Sequence, residues 1–281
     1  MEQGFSGKKA VMFSRKEQTY QVGNETLANI LRDPAQPLGQ IAKLLPEGAT
    51  VLDIGAGNGM LGQVLQQAGK QVTVDGIEPN EFAATLAKPF YRTVYQGYAQ
   101  DYTQLIQATP YDYVVLADVI EHIADPAVFL AELMPHLQAT TKLIISIPNI
   151  AFGGVRLALL NGTFDYVDSG LLERTHLRFF TLASAQALFE HLHFYSERVL
   201  SLERSFYRME FSRKFLRASP FTILNLATKS DARAYQYLFV LTQKPSRTVM
   251  EHYGVTALNI LIDAILLRSV IKQLVRRWRN R

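Results

Sequence analysis

A short apolar run, Val51-Leu52-Asp53-Ile54, breaks into three glycines, Gly55, Gly57 and Gly59, and resumes as a helical pattern from Met60. Few features narrow a fold so much. Glycines at this spacing let the chain turn sharply and approach a ligand with no Cβ in the way, and the helix that follows presents free N–H groups. Some twenty residues on, Val72-Thr73-Val74-Asp75-Gly76-Ile77-Glu78 reads as a second strand ending in a carboxylate, the position from which a side chain grips a ribose diol. The pair predicts a cradle for an adenosine-containing cofactor.

A glycine loop after a strand serves several nucleotide folds, and Asp53 separates them. An acid two residues before the first glycine sits badly beside a pyrophosphate but suits a cationic ligand, or a loop that it braces by hydrogen bonds. At Asp53, Gly55, Gly57 and Gly59 the sequence resembles the class I S-adenosylmethionine-dependent methyltransferases, whose motif is Asp-x-Gly-x-Gly-x-Gly. The resemblance runs from about Asn24 to Lys244. It implies a cofactor held by Asp53, Gly55, Ala56, Gly57, Gly59, Glu78, Tyr98, Ala99, Asp101, Ala117 and Asp118. The family usually has an acid soon after the third-strand glycine, whereas Gly97 is followed here by Tyr98-Ala99-Gln100-Asp101. Tyr98 is then expected to stack on the adenine, with Gln100 or Asp101 supplying hydrogen bonds.

Apolar runs alternate with helical patterns in the rhythm of a doubly wound α/β sheet. Strands are expected at Thr50–Ile54, Gln71–Ile77, Arg92–Gln96, Tyr111–Ala117, Lys142–Ile147, Phe194–Leu202 and Tyr235–Gln243. Seven is the strand count of the Rossmann-like class I methyltransferase sheet. Asp125-Pro126 reads as an N-cap with proline at the first helical position, and Phe129, Leu130, Leu133 and Leu137 follow at helical spacing. Residues 1–49 form a helical lead-in, 50–245 the main domain with a substrate-side insertion at about 205–231, and 246–281 a basic amphipathic C-terminal helix.

The polar residues that follow the strands are the candidate catalytic groups. Asp118, Glu121 and His122 have the spacing of one side of a helical turn. In methyltransferases of the ubiquinone-biosynthesis type a similar acid-x-x-Glu-His stretch lies beside the transferred methyl, and in some relatives it is implicated in metal binding. A histidine here can accept a hydroxyl proton, and carboxylates with an imidazole can hold a divalent metal ion, although no metal ligand is assigned; the remaining alternative is that Glu121 and His122 brace the loop. Farther on, Pro148-Asn149 and Thr175-His176-Leu177-Arg178-Phe179-Phe180-Thr181 resemble bacterial methyltransferases associated with glycosyltransferases. Arg174, His176 and Arg178 alternate, so an extended segment would turn all three toward one anionic pocket. His122, His176 and Glu121 are thus the catalytic candidates. Asn149, Arg156, Tyr166, Arg174 and Arg178 are the acceptor-binding ones.

With no cysteine among 281 residues, disulfides, thiolate metal sites and cysteine nucleophiles are excluded. The formal charge of +4 misleads: Arg268, Lys272, Arg276, Arg277, Arg279 and Arg281 leave the rest of the chain at −2, which weakens a nucleic-acid reading. The first twenty residues hold Lys8, Lys9, Arg15 and Lys16 and no apolar run, so a cytoplasmic protein is expected. A helix over Val255–Arg279 would present Leu267, Val270, Ile271, Leu274, Val275 and Trp278 on one side and cations on the other. Its apolar stretch is too short to span a bilayer, and it would lie on an anionic leaflet, pack on the body or join a second subunit. The expected activity is methylation of a sugar hydroxyl or lipid-linked glycan intermediate, or else of a phenolic or quinone precursor. A noncatalytic adenosyl-binding subunit is the reading from another class.

Overall fold

The computed structural model describes residues 24–206, 219–263 and 265. Two lead-in helices, α1 (Asn24–Arg32) and α2 (Pro37–Leu44), are followed by β1 (Thr50–Ile54), α3 (Met60–Gln67), β2 (Thr73–Glu78), α4 (Glu81–Ala87), β3 (Thr93–Gln96), α5 (Thr103–Ala108), β4 (Tyr113–Ala117), α6 (Pro126–Leu133) and β5 (Lys142–Pro148). Then come α7 (Gly153–Leu160), α8 (Leu182–His191), β6 (Tyr195–Glu203), α9 (Pro220–Thr228), α10 (Ser230–Arg233), β7 (Ala234–Thr242) and β8 (Val249–Gly254). Residues 257–263 are helical.

The strands form one sheet in the order β3-β2-β1-β4-β5-β7-β6-β8. β7 alone runs against the others, since β5 and β6 both pair with it antiparallel and β8 pairs with β6 in parallel. Successive residues point to opposite faces, so Val51, Val115 and Ile144 pack on one side while Leu52, Val114 and Leu143 pack on the other. Both faces are covered, which is why the parallel strands read as nearly unbroken apolar runs. Side chains at the helix starts do what the sequence leads one to expect: Asp125 Oδ1 accepts from Val128 N at 3.1 Å, and Pro126 takes the first turn of α6.

The sheet has eight strands, one more than expected, because residues 249–254 belong to it rather than to a C-terminal helix. This stretch is short, polar and at an edge, so it lacks the apolar alternation that marks a strand. Its pairing is reinforced by side chains, with Arg198 clasping Glu251 at 2.7 and 3.1 Å and His252 Nδ1 lying 2.7 Å from the buried Glu203 carboxylate. The helix expected over Val255–Arg279 is seen from residue 257, and residues 264 and 266–281 lie outside the described ones. So do residues 1–23 of the lead-in and 207–218 of the insertion. What is described of the insertion is α9 and α10, packed with α7 around Phe152, Leu226 and Ala227.

Candidate active site

β1 and β4 are neighbours in the sheet, and the strands that follow each lie on opposite sides of the pair. The crevice beyond their carboxyl ends is therefore the switch point where ligands settle in open α/β sheets. Gly55, Gly57 and Gly59 all hold left-handed backbone there, with φ of 78°, 55° and 81°. A Cβ on Gly59 would stand 2.9 Å from Ala87 Cα, so that glycine lets α3 pack against α4. A Cβ on Gly57 would meet nothing within 4 Å, so that glycine leaves open space.

Glu78 ends β2 beside this opening. Its Oε2 accepts from Gly57 N and its Oε1 from Asn80 N, both at 2.8 Å, so it aims the loop while each oxygen keeps a lone pair for a ligand hydroxyl. Asp53 is buried and accepts the Tyr91 hydroxyl at 2.5 Å. Burial pushes its pKa from 3.8 to about 7, against the pull of the Tyr91 hydrogen bond, and the Glu78 charge adds to the rise. Such an acid gains from a nearby cation. Ala56 and Ala99 are buried, whereas Tyr98 is half exposed with its N–H on Asp101 Oδ2 at 2.9 Å.

Ala117 closes β4, and Asp118 departs from the expected helical turn. It has φ of 56°, and only Glu121 and His122 share the short turn at Ile120–His122. The Asp118 carboxylate instead accepts from Ser146 Oγ at 2.7 Å and from Gln236. Left-handed backbone at an aspartate is strain that the surroundings hold in place.

The segment around His176 is tied to this turn by backbone. Leu177 N and Arg178 N both donate to the Glu121 carbonyl, at 2.8 and 3.0 Å, and Arg178 Nε donates to Ala124 O at 2.7 Å. The result sets the His122 and His176 rings edge to face with centroids 4.9 Å apart. His122 Nδ1 lies 3.1 Å from Thr175 O and His176 Nδ1 3.0 Å from Leu171 O. A carbonyl only accepts, so each Nδ1 donates there, and Nε2 is the ring nitrogen left to meet a ligand. His176 is buried, and that burial lowers its pKa, which favours the neutral ring. His122 is half-buried and thus the more accessible of the two.

Glu121 is 1% exposed, and neither carboxyl oxygen has a hydrogen-bond partner among the described residues. Burial first, and the Asp118 charge second, push its pKa well above the carboxylate range. One ligand atom from each of Glu121, His122 and His176 lies within 4.8 Å of the others, so this trio could hold a metal ion.

The acceptor candidates separate. Arg174 and Arg178 are exposed and His176 is buried, because the chain turns at His176, whose N–H donates to Glu173 O at 3.0 Å. An extended strand with all three on one side is therefore not what forms, and Arg174 pairs with the exposed Asp168. Asn149 is fully buried, its amide nitrogen donating to Asp231 O and Ala234 O and its oxygen accepting from Ala151 N. Arg156 is paired with Asp231. Tyr166 does face outward, and it begins a line of edge-to-face contacts through Phe164 and Phe179 to His176, with centroids 5.5, 5.9 and 6.4 Å apart. Sequence reading named Tyr166 but not the wall it begins, gave Thr175 no role of its own, and missed Tyr91 and Gln236, which meet the site only through the fold.

A family model described as a methyltransferase domain matches residues 26–200, well over half of the chain. The chain belongs to the class I S-adenosylmethionine-dependent methyltransferases. A ubiquinone biosynthesis O-methyltransferase of Xanthomonas axonopodis is 29% identical to this methyltransferase over 138 residues, 48% of this chain and 57% of that one. One of Caulobacter vibrioides is 36% identical over 112 residues, 39% and 42% of the two chains. The matches thus span about half the length of these curated relatives. A crystal structure of an S-adenosylmethionine-dependent methyltransferase from Archaeoglobus fulgidus shares the fold, with a TM-score of 0.53 at 18% identity, over 78% of this chain and 94% of that one.

Proposed function

We propose that this methyltransferase O-methylates a hydroxyl of a small molecule, taken as a sugar hydroxyl, free or on a lipid-linked glycan, with His122 as the general base. The observation that carries the reading is the placing of His122: its Nδ1 faces Thr175 O at 3.1 Å, so Nε2 is the nitrogen that the half-buried ring offers to an acceptor. S-adenosylmethionine, when bound, supplies a methyl on a sulfonium that leaves as the neutral thioether. Gly57 and Glu78 would hold its adenosyl part, and the buried Asp53 would face its positive charge. The acceptor would lie along the Tyr166–Phe164–Phe179 wall, whose apolar ring edges suit a sugar or an aromatic ring. As its oxygen attacks the methyl carbon, the hydroxyl proton passes to His122 Nε2, so that no free alkoxide forms.

A phenolic acceptor is the second reading, supported by the curated relatives named for ubiquinone biosynthesis. Offering the enzyme a sugar-bearing acceptor and a catechol separates the two by the mass of the methylated product. His122→Ala should lower kcat by about 10²- to 10⁴-fold while S-adenosylmethionine affinity stays unchanged, with His176→Ala measured in parallel. Turnover of His122→Ala within about twofold of the parent would remove it as the base. The trio Glu121, His122 and His176 also fits a divalent cation; activity that survives dialysis against a chelator leaves proton removal to His122 alone, and activity lost and then restored by added cation assigns the trio to the ion.

A further inference from the structure

α7, α9, α10 and the helical residues 257–263 share one apolar cluster through Phe152, Val155, Leu226, Ala227, Ala232 and Ile260. Their outer sides are apolar as well. On α9, Phe221 and Leu224 stand 75% and 45% exposed, opposite the buried Ile223, Leu226 and Ala227. On the last helical stretch Leu258, Ile262 and Ile265 follow at i, i+4 and i+7, all exposed, opposite the buried Ile260. Leu159 and Leu160 at the end of α7 are exposed too. Seven of the fifteen large exposed apolar residues among those described lie on this cap. An amphipathic helix normally turns polar residues outward, and an apolar patch left facing water marks a surface that meets something.

Charge says what. The sequence after residue 265 carries Arg268, Lys272, Arg276, Arg277, Arg279 and Arg281, no acid, and Trp278. Apolar side chains next to a run of cations and a tryptophan are the chemistry of a bilayer interface: hydrocarbon enters the acyl region, cations meet phosphate, and the indole sits between. No helix among the described residues is long and apolar enough to cross a membrane, so contact from one side is the mode open to this face.

We infer that the cap docks on an anionic lipid bilayer, with Phe221, Leu224, Leu258, Ile262 and Ile265 entering the interface and the basic run following them holding the headgroups. The inference does not depend on which acceptor is methylated. It is tested by sedimenting the full chain with vesicles of phosphatidylcholine alone and of phosphatidylcholine mixed with phosphatidylglycerol. Partitioning should rise at least about tenfold with the anionic lipid and fall as salt is added. The triple variant Leu258→Gln, Ile262→Gln, Ile265→Gln should lose about tenfold or more of that partitioning with S-adenosylmethionine binding intact. Should it fail to bind the cofactor and so to fold, Arg276→Gln with Arg277→Gln and Arg279→Gln decides, by losing the preference for anionic lipid. No sedimentation with anionic vesicles, equal binding to both vesicle types, or a dimer in solution that the triple variant dissociates would overturn the inference.

Discussion

Replacing Asp53 by asparagine isolates the cost of a buried acid held for its ligand. In the folded protein this carboxyl titrates at about 7 instead of 3.8, so between those values the folded state binds a proton that the unfolded chain has released. Its contribution to stability is therefore complete below about pH 4 and declines as pH rises, until it is lost above pH 7. At about 1.4 kcal/mol per pH unit, the gap is about 4 kcal/mol. Asparagine keeps the shape and can still accept from the Tyr91 hydroxyl, but it does not ionise. Urea unfolding of parent and Asp53→Asn, both without cofactor, should show the variant gaining about 4 kcal/mol on the parent between pH 4 and pH 8. If Asp53 faces the sulfonium as proposed, saturating S-adenosylmethionine should reverse the order at pH 8. A difference between the two proteins that is the same at pH 4 and pH 8 would refute the reasoning.

Glu78→Ala removes both the brace on Gly57 and the ribose acceptor; loss of a charge-assisted hydrogen bond of about 1.5–3 kcal/mol should weaken S-adenosylmethionine about 10- to 100-fold by calorimetry, and an affinity within twofold of the parent would refute the role. Gly59→Ala combines left-handed backbone with a Cβ 2.9 Å from Ala87 Cα, so it should lose more stability in urea than Gly48→Ala, whose φ of 78° carries the same strain with nothing within 4 Å. The strain alone is about 1–3 kcal/mol. Burial favours the neutral form of the Glu121 carboxyl, so Glu121→Gln should cost little in urea unfolding at neutral pH, and a loss of several kcal/mol would refute that.

The strand, loop and helix proposed to hold the cofactor were open to sequence reading as structure because their signals are local. A strand, three glycines and a helix adjoin in the chain, and Glu78 lies at the end of the next strand; their pairing is fixed by parallel register, Ile54 against Ile77. The catalytic side was legible only as residue types. His122 and His176 come together through hydrogen bonds between segments more than fifty residues apart, and Thr175 meets His122 Nδ1 through a backbone carbonyl, which no residue type encodes. Alternation misled at Arg174, His176 and Arg178 because it presumes extended backbone, and a single turn at His176 defeats it. Asn149, polar and just past a strand, looked like a ligand contact, yet the fold uses its whole amide to hold the chain at Asp231 and Ala234. The eighth strand escaped notice since its pairing depends on Arg198 and Glu203, far away in the sequence.

That strand also sets where the chain goes next. β8 runs with β1 to β5, so residue 254 comes out at the edge of the sheet where the glycine loop and the two histidines lie, and Ile260 then packs in one cluster with Phe152 and Leu171, the residues that flank α7 and His176. Had the last strand run the other way, the chain would leave at the opposite edge, far from the chemistry. As built, the helical turn after β8 shares one apolar core with Phe179, part of the wall proposed for the acceptor.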